Sequence, residues 1–181
     1  MARPLILALG GTRSGKSRFG LAATRELAGS GRAWFLGTAW AGDAELDDRI
    51  RRHRAERPDD WPTIDVGPDL AAAIDGAHPD EPILLDGLTL WLSAILGDEP
   101  GDLDVLLDGP VAAAVDAIDR HRGPVVVVSD DVGGGIIPMH PAARAYRDLV
   151  GMVHQRLAAR ADEVHLLVAG LPLQVKGGRS T

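Results

Sequence analysis

Short apolar, β-branched runs alternate with stretches of helical periodicity along the whole chain. Continuous apolar runs at Leu5–Leu9, Ala33–Leu36, Ile83–Leu85, Val125–Val128 and Val164–Val168 predict strands. They read as unbroken runs rather than alternating ones, as expected when both faces of a sheet are covered. Helical patterns at Ser17–Ala28, Asp43–Glu56, Leu70–Ile74, Leu88–Leu96, Val105–Arg120 and Pro141–Ala161 lie between them. Strands alternating with helices predict an α/β fold, a mostly parallel sheet with helices on both faces. Pro141 fits the first turn of its helix, where its missing N–H costs nothing. Gly123-Pro124 and Gly97–Gly101 punctuate connections. No repeat, low-complexity tail or linker interrupts the pattern, so residues 1–181 are expected to form one domain.

Composition narrows the class without naming a function. The 181 residues are 45% hydrophobic and 25% charged, ordinary for a globular protein with a sizeable core. No apolar run approaches the length of a membrane span, and no charged-then-apolar leader opens the chain. With no cysteine there is no disulfide, thiol nucleophile or thiolate metal site. A cytoplasmic protein is expected. The net charge of −7 argues against nucleic acid or an anionic membrane as a partner. Local basic clusters therefore read as sites.

Ligands of such sheets bind beyond the carboxyl ends of the strands. Directly after the first run stands Gly10-Gly11-Thr12-Arg13-Ser14-Gly15-Lys16-Ser17, a complete G-x-x-x-x-G-K-S between a strand and a helix. The glycines let the backbone curl so that several N–H groups face one phosphate. Lys16 brings a point charge to the β- and γ-phosphates, Ser17 offers a hydroxyl to Mg²⁺, and the helix aims its positive end at the same place. A nucleoside triphosphate is the expected ligand. Asp86 ends the strand Ile83–Leu85, where a carboxylate can serve Mg²⁺ directly or through water; the simpler reading is a capping Asp.

The stretch Asp43–Trp61 opens acidic and closes basic, which suits a helix dipole, and Pro58 marks its end. Leu46, Ile50 and His53 fall near one helical face, with Arg49 four residues before His53. On pattern alone, a solvated amphipathic helix accounts for this as well as a site does. His78, His121, His140, His154 and His165 make no metal-ligand spacing, so zinc is not expected. Past the fourth run, Ser129-Asp130-Asp131 leads into Gly133-Gly134-Gly135 and Ile136-Ile137-Pro138. It reads either as a flexible loop or as a ligand loop whose carboxylates serve metal or proton transfer. Arg144 and Arg147, three apart on the next helix, suit a phosphate or solvent equally. Trp34, Trp40, Trp61 and Trp91 form no stacking ladder and read as packing residues, although Trp61 could flank a ligand.

Together these stretches resemble the bifunctional adenosylcobinamide kinase/adenosylcobinamide-phosphate guanylyltransferases of cobalamin biosynthesis. The resemblance runs nearly end to end. It is carried by G-G-T-R-S-G-K-S at 10–17, G-T-A at 37–39 and D-x-E-L-x-x-R-I-x-x-H-R-x-x-R-P-x-x-W at 43–61. Further matches are L-L-D-G-L-T-L-W-L-S at 84–93, V-S-D-D-V-G-G-G-I-I-P at 128–138 and R-x-Y-R-D-L-V-G-x-V-H-Q-R-L-A-A-R-A-D-E-V at 144–164, with Lys176 beyond. The resemblance implies a RecA-like P-loop NTPase fold and makes His53 the nucleophile that takes GMP from GTP. It implies GTP contacts from the loop 10–17, from Gly37, Thr38 and Ala39, from Arg54, Ala55, Glu56 and Arg57, and from Asp65 and Asp86. Lys16 would act beside His53, and Ser17 and Asp86 would hold Mg²⁺.

The implied substrates are GTP (or ATP) with adenosylcobinamide and its phosphate, and the implied assembly is a homo-oligomer, a trimer in related enzymes. Asp65 stands where the family usually has Glu, Asp130-Asp131 where it has Asn-Glu, and His154 where it has Asn. Asn to Asp trades a hydrogen-bond donor for a charge. Two other readings stay open on residues alone: a P-loop kinase for another small molecule, and a GTP-binding switch. Asp131-Val132-Gly133-Gly134 matches D-x-x-G, but the N-K-x-D guanine-reading motif is absent.

Overall fold

The computed structural model describes residues 3–38, 58–99 and 101–177. The elements run β1 (Leu5–Gly10), α1 (Lys16–Ala28), β2 (Trp34–Gly37), β3 (Thr63–Asp65), α2 (Leu70–Asp75), β4 (Ile83–Asp86) and α3 (Leu88–Leu96). They continue with α4 (Leu103–Asp108), α5 (Pro110–Arg120), β5 (Val125–Asp130), α6 (Pro141–Arg160), β6 (Glu163–Val168) and β7 (Leu171–Lys176). The strands form one seven-stranded sheet in the order β3-β2-β4-β5-β1-β6-β7. Every pairing is parallel except β6 with β7.

Alternation along the buried strands divides the core between two faces. Ile6, Ala8, Leu84, Val126 and Val128 pack with Leu21 and Phe19 of α1 on one face. Leu5, Leu7, Ile83, Leu85, Val125 and Val127 meet Leu88, Trp91, Leu92, Val111, Leu149 and Val153 of the later helices on the other. Helices thus cover both faces, as the pattern predicts. The central strands are almost sealed, with Leu7, Leu36, Val126 and Val127 at 0% exposure.

The predicted strands and helices within the described residues are present, with differences at three places. The helix expected over Val105–Arg120 is two helices. Asp102 caps the first by accepting from Asp104 N at 2.9 Å. Gly109-Pro110 then breaks the path, because Pro110 has no N–H to continue the ladder and instead begins α5. Strand β3 is not predicted by the pattern: three residues are too few to show a period. Nor is β7, where Pro172 argues against a strand. The proline is tolerated because β7 is the sheet edge, reached through a turn in which Ala169 (φ 52) and Gly170 (φ 83) both take positive φ. The helix expected over Asp43–Glu56 lies outside the described residues.

Candidate functional site

The carboxyl end of β1 is where the sheet gathers its chemistry. The strand stops at Gly10, whose α-hydrogen faces a tight space: a Cβ there would lie 2.4 Å from Ser14 Oγ and 2.8 Å from the Leu167 carbonyl oxygen. The chain then curls through Arg13 (φ 58) and Gly15 (φ 95) before α1 begins at Lys16. Among the described residues no side chain caps the helix start, which leaves its first N–H groups without a side-chain partner at the loop. The turn between β6 and β7 supports the loop from outside, with Gly170 N donating to the Ser14 carbonyl at 2.8 Å. On the other side, Asp131 N donates to the Gly10 carbonyl at 3.0 Å.

Lys16 folds back over the loop. It is 4% exposed, and its Nζ donates to the Gly11 carbonyl at 3.2 Å and pairs with Asp130 Oδ1 at 2.5 Å. Parallel register makes that pairing possible, because Gly10 and Asp130 are partners across β1 and β5. A buried ammonium without an anion would be costly, so the carboxylate accounts for where the lysine lies. The second oxygen, Asp130 Oδ2, accepts from Thr89 Oγ1 at 2.9 Å. The Thr89 carbonyl in turn accepts from the Tyr146 hydroxyl at 3.1 Å. Burial raises the Tyr146 pKa, with Asp130 adding to the shift against the Thr89 bond, so the phenol remains a donor.

Ser17 Oγ donates to Asp86 Oδ1 at 3.2 Å. Two oxygens bound side by side to one octahedral Mg²⁺ lie about 3 Å apart, and Mg²⁺ is held by one or two carboxylates together with substrate phosphates. These hard oxygen donors fit that ion. Among the described residues no cluster of three or more His, Asp or Glu forms a metal cage by itself. Ser14 Oγ is buried with no hydrogen-bond partner among the described residues, a polar atom turned into the same loop.

Gly37, Asp65 and Asp86 end three adjacent strands in register, Gly37 opposite both carboxylate residues. The Thr38 hydroxyl is engaged internally, donating to the Gly87 carbonyl at 2.5 Å, which fastens the end of β2 to that of β4. Gly87 must be glycine there: its φ is +94, and a Cβ would lie 2.7 Å from Thr38 Oγ1. His53, Ala39, Arg54, Ala55, Glu56 and Arg57 lie outside the described residues.

Other sequence candidates resolve into structure. Arg144 donates to the carbonyls of Pro138 and Met139, and Arg147 to those of Gly133 and Ile136, so both tie down the glycine-rich loop. Asp131 caps that loop at Gly133 N, at 3.1 Å. Trp61 is buried on the α1 face, and Trp91 donates to the Pro68 carbonyl at 2.9 Å. His154 Nε2 meets Ser129 Oγ at 2.7 Å behind the end of β5. Sequence reasoning does not single out Thr89 or the β6–β7 turn. The turn carries a weak signal, Gly170 after an apolar run; Thr89 falls in the matched stretch 84–93, but its contact with Asp130 has no local trace because it arises from the packing of α3 on β5.

Comparison with known proteins follows the same lines. The model of a protein family described as cobinamide kinase / cobinamide phosphate guanyltransferase matches residues 6–175. The bifunctional adenosylcobalamin biosynthesis protein CobP of Pseudomonas aeruginosa is 41% identical over 175 residues, covering 94% of this chain and 96% of the relative. The bifunctional adenosylcobalamin biosynthesis protein CobU of Escherichia coli is 34% identical, covering 95% and 99%. Among solved structures, an ATPase domain superposes with a TM-score of 0.53 at 12% identity, over 91% of this chain and 69% of that one. The flagellar accessory protein FlaH of Methanocaldococcus jannaschii superposes with a TM-score of 0.51, also at 12% identity, over 97% and 79%. At 12% identity these likenesses are of fold alone, a mostly parallel sheet with helices on both faces.

Proposed function

The chain belongs to the cobinamide kinase / cobinamide phosphate guanyltransferase family, and we propose that it carries out both activities at the phosphate loop of β1. In the first, a hydroxyl of adenosylcobinamide attacks the γ-phosphorus of GTP or ATP. The bond to the β,γ-bridging oxygen breaks, leaving the nucleoside diphosphate and adenosylcobinamide phosphate. In the second, a neutral ring nitrogen of His53 attacks the α-phosphorus of GTP and expels pyrophosphate. A phosphate oxygen of adenosylcobinamide phosphate then takes the guanylyl group, giving adenosylcobinamide-GDP and restoring the imidazole.

The observation that carries this reading is the constellation at the end of β1: an uncapped helix start, a buried Lys16, and Ser17 within hydrogen-bonding distance of Asp86. Backbone N–H groups and Lys16 would bind the phosphates and neutralise charge as it shifts. Ser17 and Asp86 would hold Mg²⁺, which supplies further neutralisation when bound. The assignment of His53 rests on R-I-x-x-H-R-x-x-R-P-x-x-W at 49–61, and by the same resemblance Arg54 and Arg57 would contact the nucleotide. A homo-oligomer, a trimer as in related enzymes, and a cytoplasmic location go with this reading. Leu171, Leu173 and Val175, exposed on one face of the edge strand β7, support an assembly.

Transfer of label from γ-labelled GTP or ATP to adenosylcobinamide, with Mg²⁺ present, tests the kinase half. The wild-type chain should phosphorylate the corrinoid, and Lys16→Met should lose at least about 100-fold in rate while still unfolding in one cooperative transition, at a lower temperature because Asp130 has lost its partner. No transfer by the wild type from either nucleotide would remove the kinase assignment.

A further inference from the structure

Lys16 is the residue the loop offers to a phosphate, yet it is already occupied. Its Nζ lies 2.5 Å from Asp130 Oδ1, with the lysine 5% and the aspartate 26% exposed at the side chain. The carboxylate is not a passing neighbour. Its other oxygen accepts from Thr89 Oγ1 at 2.9 Å, Thr89 is 2% exposed, and the Tyr146 hydroxyl holds the Thr89 carbonyl at 3.1 Å. Asp130 itself ends β5, paired in register with Gly10 at the root of the loop. Strand, helix α3 and helix α6 therefore all fix the carboxylate at the position from which it holds the lysine.

We propose that Asp130 is a built-in competitor for Lys16, a positioning residue that ties up the phosphate-binding lysine until a nucleotide displaces it. The inference rests on the reading of the loop as a nucleotide site. Two effects act in the same direction. A phosphate oxygen can take the full charge of Lys16 only if the Lys16–Asp130 pair is broken, and breaking a largely buried pair is costly. Once Lys16 turns to the phosphates, the fixed carboxylate remains beside them as a like charge in a poorly hydrated site. Thr89 prevents Asp130 from swinging away to relieve that repulsion. The chain thus sets its nucleotide affinity below what the loop alone would give, and anions with less charge than a polyphosphate are poorly matched to the exchange.

The test measures affinity, where damage and the proposal have opposite signs. Binding of a GTP analogue with a methylene bridge between the α- and β-phosphorus, which His53 cannot cleave there, is titrated with Mg²⁺ on wild type, Asp130→Asn, Asp130→Ala and Asp131→Asn. Both Asp130 variants should bind about tenfold more tightly, the size expected from one charge-assisted contact. Their empty forms should melt below wild type, because Lys16 has lost its anion, while the rise in melting temperature on binding should be larger. Asp131→Asn removes the same charge one residue along, where it caps Gly133 N instead of touching Lys16, and should change affinity less than about twofold. Equal or weaker binding by both Asp130 variants would overturn the competitor role, as would an equal gain in Asp131→Asn. Either result leaves the nucleotide site standing. A wild type that binds no analogue at all would remove the nucleotide reading and this inference together.

Discussion

His154 lies on α6 with its ring turned toward β5, where Nε2 meets Ser129 Oγ at 2.7 Å. Burial lowers its pKa, and the nearby Asp131 and Asp130 only partly oppose that shift. His121, at the end of α5, is lowered for the same reason, against its bond to the Glu81 carbonyl. The fold therefore favours both rings neutral. As pH falls through the ordinary histidine range, about 6.5, the unfolded chain takes up protons before the folded one. Stability is complete above that range and declines on acidification until the folded values are passed. The urea midpoint should fall between about pH 7.5 and about pH 5.5, and His154→Asn, which can still bond Ser129, should make the fall shallower. An unchanged slope in that variant would contradict the assignment. Neither burial nor shift is readable from sequence, where His154 is one more helical residue. The loop 10–17 is fully legible, because its parts are contiguous. Asp130 is legible as a carboxylate past a strand but not as the partner of Lys16, since the two meet only through the register of β1 with β5.

At the scale of elements, two helical glycines show how packing overrides propensity. A Cβ on Gly20 of α1 would lie 2.5 Å from Val128 Cγ2 and 3.2 Å from Leu84 Cδ1, against a sheet face of stiff side chains. On Gly151 of α6 it would meet nothing within 4 Å. Glycine disfavours a helix by about 1 kcal/mol at either position. Gly151→Ala should therefore stabilise the protein by about 0.5–1 kcal/mol, whereas Gly20→Val should cost about 2 kcal/mol or more through overpacking. Denaturant unfolding checks both signs, and a stabilising Gly20→Val would refute the close approach of α1 to β4 and β5. Long periodic segments such as Ser17–Ala28 and Pro141–Ala161 are plain from pattern. The break at Gly109-Pro110 is written in the sequence but outweighed by the apolar periodicity on either side of it. Strand β7 is hidden by Pro172, which a central strand would reject and an edge strand admits.

For the whole molecule, the strand order β3-β2-β4-β5-β1-β6-β7 converts scattered motifs into one place. Segments around residues 10–17, 37, 65, 86 and 130 all end their strands on the same edge of the sheet. A parallel sheet with two covered faces follows from the alternation of elements, whereas the order of its strands does not, because pairing across long crossovers leaves no local trace. The same edge gathers Lys16, Ser17 and Asp86, and the proposed pair of activities requires it to serve the α-phosphorus of a nucleotide as well as the γ. Incubation of the purified chain with α-labelled GTP and Mg²⁺ tests this most directly. The wild type should acquire label that is labile to acid and stable to alkali, as a phosphoramidate on histidine is. His53→Ala should acquire none. An unlabelled wild type, or label that persists in His53→Ala, would contradict the guanylyl-histidine at the centre of the account.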